Sequence, residues 1–318
     1  MTLLIQQPAL LMTVQDGGRR GYQRYGMPAS GPMDWWAFRA ANLLLGNAPE
    51  AACVEVGFSS AEIQLQGRAL LAVCGTGFRL TINHIEMPLW MAFLGRPGDT
   101  IRFEKRTGGN WAYLAVAGGI QSPVWMGSRS AYPAAGLGKP LAAGEHLNIP
   151  VSSAGGVMFA GRAIPQAQQP AYAADPVIGV IPGPHLYRFA QGSWETFLAG
   201  AYKVSTQSNR MGYRLTGPSL AHHSSADLVS QAIVLGAVQV PGDGQPIVMM
   251  ADHPTTGGYT IIATVARTDL PLLAQVEPGR GTLRFKAVDL HASQQAWVGV
   301  VKMLDQIEFD QEDLWTGF

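Results

Sequence analysis

The feature that most constrains this fold is a succession of short apolar runs cut by glycine, asparagine and proline. They fall at 61–65, 69–73, 78–82, 100–103 and 111–116, and again at 177–181, 233–240, 247–250, 260–265 and 282–288. Glu62-Ile63-Gln64-Leu65-Gln66 alternates with period two, the pattern of a strand with one buried face. The 38 glycines follow no period, which excludes a collagen-like chain and suits tight turns between strands. The sequence therefore predicts a mainly β protein. A few short helices interrupt it. Residues 32–45 read as a helix, with Ser30 or Gly31 as cap, Pro32 in the first turn and Gly46-Asn47 as the stop. Residues 193–198 form a second candidate, and the chain from Leu290 onward has an amphipathic helical pattern.

At 318 residues the chain is long for one core, so two domains of roughly 150 residues are expected. The stretch 151–175 has no clean periodicity and reads as a connector between a domain at 1–150 and another at 176–318. A repeated signature supports this division. Arg19-x-Gly21-Tyr22-x-x-x-Gly26 matches Arg210-x-Gly212-Tyr213-x-x-x-Gly217, offset by the same 191 positions from 19 to 210 and from 26 to 217. One shift close to the size of a domain points to duplication, the two copies fixing equivalent barrel corners.

Composition removes several functions. The 22 basic residues balance the 22 acidic ones, with no basic run, so a nucleic-acid partner is not expected. Charged residues make up only 14%, against about 25% in an ordinary protein. The remaining surface is polar, small or apolar, which suits partner proteins or a homo-oligomer. Cys53 and Cys74 have no metal-ligand or redox spacing and read as buried free thiols. No secretory leader and no apolar run of about 18 residues appears, so a cytoplasmic protein without a membrane partner is expected.

Three segments carry a more specific message. The first is Thr13-Val-Gln-Asp-Gly-Gly-Arg-Arg-Gly-Tyr22, continuing through Ser30-Gly-Pro-Met-Asp34 to Gly46-Asn47. The second is Tyr113-Leu-Ala-Val-Ala-Gly-Gly119 with Met126-Gly-Ser-Arg-Ser130. The third is Ser208-Asn-Arg-Met-Gly-Tyr-Arg-Leu215, then Val238-Gln-Val-Pro-Gly-Asp-Gly-Gln-Pro-Ile247 and Thr255-Thr-Gly-Gly-Tyr259. In this order, over nearly the whole chain, they resemble the allophanate hydrolase subunit 2 family. That family includes the C subunit of bacterial 5-oxoprolinase and the carboxyltransferase portion of urea carboxylase. The resemblance implies two tandem cyclophilin-like β-barrel domains. It also implies two partners, the A and B subunits of 5-oxoprolinase. The implied reaction is an ATP-dependent opening of 5-oxoproline to L-glutamate through a phosphorylated lactam, with magnesium accompanying the ATP. Two alternatives come with it: transfer of a carboxyl group from carboxybiotin to a urea-like amide, and antagonism of a kinase inhibitor that resembles the B subunit. Some relatives carry an acidic residue where this chain has Asn209, and Glu where it has Gln231; here both are amides, which donate and accept but carry no charge.

Each candidate has a structural and a functional reading. Asp16 closes a turn, or joins Arg19 in holding a phosphate or carboxylate. Arg210, Asn209, Tyr213 and Asp252 are the expected catalytic group, with Arg210 and Asn209 placed to stabilise a developing oxyanion. Gln239 and Gln245 flank a turn and suit a lactam amide. Thr255, Thr256, Gly257, Gly258 and Tyr259 are expected to form a loop whose N–H groups cradle an anion, although no P-loop lysine follows. Asp34 and Glu55 serve either substrate, a metal or the start of a helix. The seven histidines show no zinc-ligand spacing, and His222-His223 read as exposed. Lys302 weakly resembles a biotin-acceptor lysine but reads better as part of a terminal helix.

Overall fold

The computed structural model describes residues 1–150 and 158–311, and these divide into two compact units. The first comprises Met1–Arg19, Ser30–Ala171 and the segment from Gln306; the second comprises Arg20–Ala29 and Tyr172–Asp305.

Strands of the first unit are β1 (Thr2–Gln7), β2 (Leu11–Gln15), β3 (Cys53–Gly57), β4 (Ala61–Leu65), β5 (Ala69–Gly75), β6 (Phe78–Ile82), β7 (Ile85–Met87), β8 (Met91–Gly95), β9 (Thr100–Lys105), β10 (Trp111–Val116), β11 (His146–Asn148) and β12 (Arg162–Ala163). They form one sheet in the order β11-β1-β4-β9-β6-β7 and another in the order β2-β3-β10-β5-β8-β12. The two sheets enclose a single core. Ile5, Ile63, Leu80 and Phe103 come from the first sheet; Val14, Val56, Val73 and Leu114 come from the second. Alternation is clean where one face is buried, as in β4. It is absent in β5 and β10, which are buried throughout. Their second face lies under α1 (Trp35–Leu44), which contributes Ala37, Phe38, Ala41 and Leu44.

The start of α1 differs from the expected one. Asp34, not Ser30 or Gly31, is the N-cap, accepting from Trp36 N at 3.1 Å and Ala37 N at 3.0 Å. Such a cap contributes about 1 kcal/mol. Pro32 lies outside the helix. The stop at Gly46-Asn47 falls as expected: Gly46 has φ 67° and Asn47 N donates to Asn42 O.

The second unit holds β13 (Val177–Pro182), β14 (Ala201–Val204), β15 (Gly212–Thr216), β16 (Asp227–Ala232), β17 (Ala237–Val240), β18 (Ile247–Met249), β19 (Thr256–Val265) and β20 (Thr282–Ala287). Their order β13-β20-β14-β15-β18-β17-β19 closes through a β13–β19 pairing, so seven strands form a barrel. Closure leaves no unpaired edge within the ring. The mainly β, barrel-containing fold expected from sequence is therefore present. β16 lies outside the ring, paired to the first residues of β19. Helices α2 (Ser193–Ala199), α3 (Leu270–Ala274) and α4 (Leu290–Asp305) complete the unit, with Phe197 of α2 stacked on Phe285 of β20 at 4.4 Å. Lys302 lies in the last turn of α4, as a helix lysine. Among the described residues no helix is long and apolar enough to cross a membrane.

Of the expected connector 151–175, residues 151–157 lie outside the described residues. The remainder contains β12, which pairs with β8 and with β21 (Asp310–Gln311). The repeated signature takes two different forms. After Arg19, Gly21 and Gly26 adopt φ of 87° and 80° around a 3-10 turn at Gln23–Tyr25. Gly212 and Tyr213 instead begin strand β15, with Tyr213 fully buried. The two copies do not fix equivalent corners.

Candidate functional site

After β2 the chain turns at Asp16, and the Asp16 carboxylate is enclosed by donors. Oδ1 accepts from Gly18 N at 2.9 Å, Ser128 Oγ at 2.6 Å and Ser130 Oγ at 2.7 Å, and Oδ2 accepts from Arg129 N at 2.5 Å. Arg19 is fully buried and donates from Nε to Trp125 O at 3.2 Å and from Nη2 to Ser130 O at 2.7 Å. The expected substrate contact of this pair is thus replaced by a protein contact. Both side chains hold the segment 125–130.

That segment is a tight hairpin. Trp125 N donates to Ser128 O and Ser128 N to Trp125 O, with Met126 at φ 51° and Gly127 at φ 78° between them. These positive φ values match a type I′ turn. Glycine adopts them freely; methionine does so only where the surroundings fix the backbone. Asp16 and Arg19 supply that fixation. The hairpin forms one wall of a cavity of about 420 Å³. Its apolar lining includes Val14, Trp125, Leu141 and Leu147, and Ser122 and Arg129 are among its polar residues.

Behind α1, Asp34 and Glu55 are fully buried and engaged with the fold. Glu55 Oε2 accepts from Tyr113 Oη at 2.8 Å and from Met33 N at 2.9 Å, while Tyr113 Oη accepts from Asp34 N at 2.8 Å. Burial, then the charges of Glu55 and Asp34, push the Tyr113 phenol well up from its ordinary pKa. This chain of bonds ties the start of α1 to the sheet beneath it.

In the second unit, Arg210 forms a bidentate pair with Asp252, Nε to Oδ2 at 2.8 Å and Nη2 to Oδ1 at 3.0 Å. Their side chains are only 8% and 7% exposed, so both charges rely on each other. Asn209 is exposed, and its Oδ1 accepts from Met211 N at 2.8 Å, an Asx turn. Tyr213 Oη donates to Ala274 O at 2.8 Å inside the core. Gln245 clamps Gly217, accepting from its N at 2.9 Å and donating to its O at 3.2 Å. Arg210, Tyr213 and Gln245 thus direct their side chains to protein partners, and Asn209 is engaged through its Oδ1.

The Thr255–Tyr259 segment is not a loop. Thr256, Gly257 and Tyr259 pair with Ala232, Gln231 and Asp227 of β16. A strand does not gather successive N–H groups on one side, which removes the expected anion cradle. Gly257 lies at a close approach of neighbouring side chains. A Cβ at that position would lie 2.3 Å from Ile233 Cδ1 and 2.9 Å from Gln239 Nε2. Gln239 is thereby brought to the Gly257 strand, 5% exposed, and its Nε2 has no hydrogen-bond partner among the described residues.

Sequence alone does not single out His185. Its Nδ1 accepts from Ile261 N at 3.0 Å, and its Nε2 lies 3.0 Å from Gln231 Nε2. Burial, then the Arg188 charge, holds this imidazole below its ordinary pKa, partly opposed by Gln231. His222, expected to be exposed, is half-buried against Phe189 and bonded to Thr260 Oγ1 at 2.8 Å. The only advance signal for His185 is the Gly183-Pro184 turn that precedes it.

This fold is shared with known proteins. The chain belongs to the carboxyltransferase domain family, subdomains A and B, whose model matches residues 25–287. Within it, the chain is 34% identical over 282 residues to the 5-oxoprolinase C subunit of Escherichia coli (strain K12), covering 87% of this chain and 89% of that one. It is 32% identical over 299 residues to the 5-oxoprolinase C subunit of Haemophilus influenzae, covering 93% and 94%. The crystal structure of the K. lactis urea amidolyase matches 96% of this chain with a TM-score of 0.89 at 30% identity. The chain spans only 20% of that larger protein.

Proposed function

We propose that this chain is the C subunit of an ATP-dependent 5-oxoprolinase. In this reading it acts in the cytoplasm with the A and B subunits to open the lactam of 5-oxoproline to L-glutamate. One observation carries the proposal. The 5-oxoprolinase C subunits match along nearly their full length and along nearly all of this chain, 89% and 87% for the Escherichia coli protein. The larger urea amidolyase of Lachancea kluyveri is matched over only 17% of its length.

ATP and magnesium belong, in this proposal, to the assembled enzyme rather than to this chain. Arg19 and Arg210 are engaged by protein partners, and Thr256, Gly257 and Tyr259 are strand-paired. Among the described residues no group of three or more His, Cys, Asp or Glu is placed to hold a metal ion. No phosphoryl step is therefore routed through these side chains. This chain's contribution is to bind and orient the small amide. Deleting its gene tests the reading: 5-oxoproline is expected to accumulate in the cell, and an unchanged 5-oxoproline pool would refute it.

The family model and the fold match to urea amidolyase favour a second reading, carboxyl transfer from carboxybiotin to a urea-like amide. It requires biotin binding by the chain, measurable by calorimetry.

A further inference from the structure

We propose that the cavity walled by the Trp125–Ser128 hairpin is a binding site for a small monocarboxylate, with Arg129 as its anchor. Arg129 lines the cavity and is half-buried. Its backbone N is fixed by Asp16, yet no ion pair or hydrogen bond ties its guanidinium to the protein among the described residues. The other cation of the lining, Lys139, is already matched by Glu145 at 3.4 Å. One positive charge therefore remains uncompensated. A guanidinium held this way presents paired donors with the spacing of a carboxylate.

Further observations belong to the same site. Val14, Trp125, Leu141 and Leu147 offer apolar surface for a compact ring or short chain. The volume, about 420 Å³, lies in the range of small-molecule sites. Finally, the wall is held in an unfavourable backbone conformation at Met126 by Asp16 and Arg19. Strain maintained by dedicated polar groups is a mark of a positioned site. One uncompensated guanidinium beside apolar surface suits a monocarboxylate. Gln121, His146 and Asn148 add polar groups around it, and the Glu145 carboxylate in the same lining weighs against the second negative charge of a phosphate.

The carboxylate site stands independently of the proposed enzyme; that 5-oxoproline is the carboxylate filling it rests on that reading. The test is calorimetric titration of the full chain with L-5-oxoproline, cyclopentanecarboxylate, 2-pyrrolidinone and inorganic phosphate. A carboxylate is expected to bind at least about tenfold tighter than the neutral lactam and than phosphate. Arg129→Gln is expected to weaken it about 10- to 100-fold. Arg106→Gln, an exposed cation elsewhere in this unit, is expected to change it less than about twofold. Equal binding by the Arg129 variant, equal binding of 2-pyrrolidinone, preference for phosphate, or no carboxylate binding overturns the site. Binding of cyclopentanecarboxylate without 5-oxoproline leaves the site standing and counts against the enzyme reading.

Discussion

Asp252→Ala should be among the most damaging single changes in the second unit. Asp252 and Arg210 have side chains 7% and 8% exposed and share two bonds of 2.8 and 3.0 Å. Removing the carboxylate strips the buried guanidinium of its bidentate acceptor, a change that costs about 3–5 kcal/mol. Arg210→Met likewise leaves the carboxylate without these donors, at a similar cost. Replacing both, as Arg210→Met with Asp252→Ala, removes both desolvated charges together, and such replacements cost far less, roughly 0–2 kcal/mol. The double variant should therefore recover about 4 kcal/mol or more relative to the sum of the single ones, well beyond the scatter of independent sites. Urea unfolding followed by circular dichroism measures all four proteins, with the slope checked for constancy. The backbone bond from Asp252 N to Arg210 O, at 2.8 Å, survives in every variant and keeps the comparison local. A loss below about 1 kcal/mol in Asp252→Ala would refute the reasoning.

Other perturbations follow from the same geometry. Asp16→Ala should destabilise the first unit by about 2–4 kcal/mol, since four donors lose one acceptor and water replaces only part of it; thermal unfolding reads this, and a change below about 0.5 kcal/mol would contradict the clamp. Gly257→Ala places a methyl 2.3 Å from Ile233 Cδ1, the far end of a flexible side chain that can turn aside, so a cost of no more than about 1 kcal/mol is expected in urea unfolding, and a loss above about 3 kcal/mol would contradict that adjustment. His185, His222 and His253 all have pKa values lowered chiefly by burial. Because the unfolded chain binds these protons first, stability is complete above the unfolded value of about 6.5 and falls as the pH drops below it toward the folded values. The urea midpoint should decline from pH 7 to pH 5, and a rise over that window would contradict the buried neutral imidazoles.

What the sequence discloses depends on how local the cause is. Residues 61–65, 78–82 and 111–116 are legible as strands because burial of one or both faces writes itself into the pattern. The helix at 35–44 is legible too, but its start is displaced because Met33 N is captured by Glu55, a partner 22 residues away. Thr255–Tyr259 looks like a loop in sequence because its glycines suggest one. Its partner strand β16 is largely exposed and lacks an apolar signature, so the pairing is hidden. The arginines mislead for one shared reason. A lone sequence shows that Arg19 and Arg210 are placed near glycines, but not that Ser130, 111 residues on, and Asp252, 42 residues on, occupy them. Arg129 stands inside one of the segments that carry the family resemblance. Only the geometry shows that Asp16 fixes its backbone while its side chain lines a cavity.

The most direct test of the central claim is the rate of glutamate formation from L-5-oxoproline and ATP by purified A and B subunits, measured with and without this chain. The account predicts that glutamate forms only in its presence and that the rate rises as it is added back. Full turnover in its absence would contradict the claim, and so would no turnover with all three subunits present.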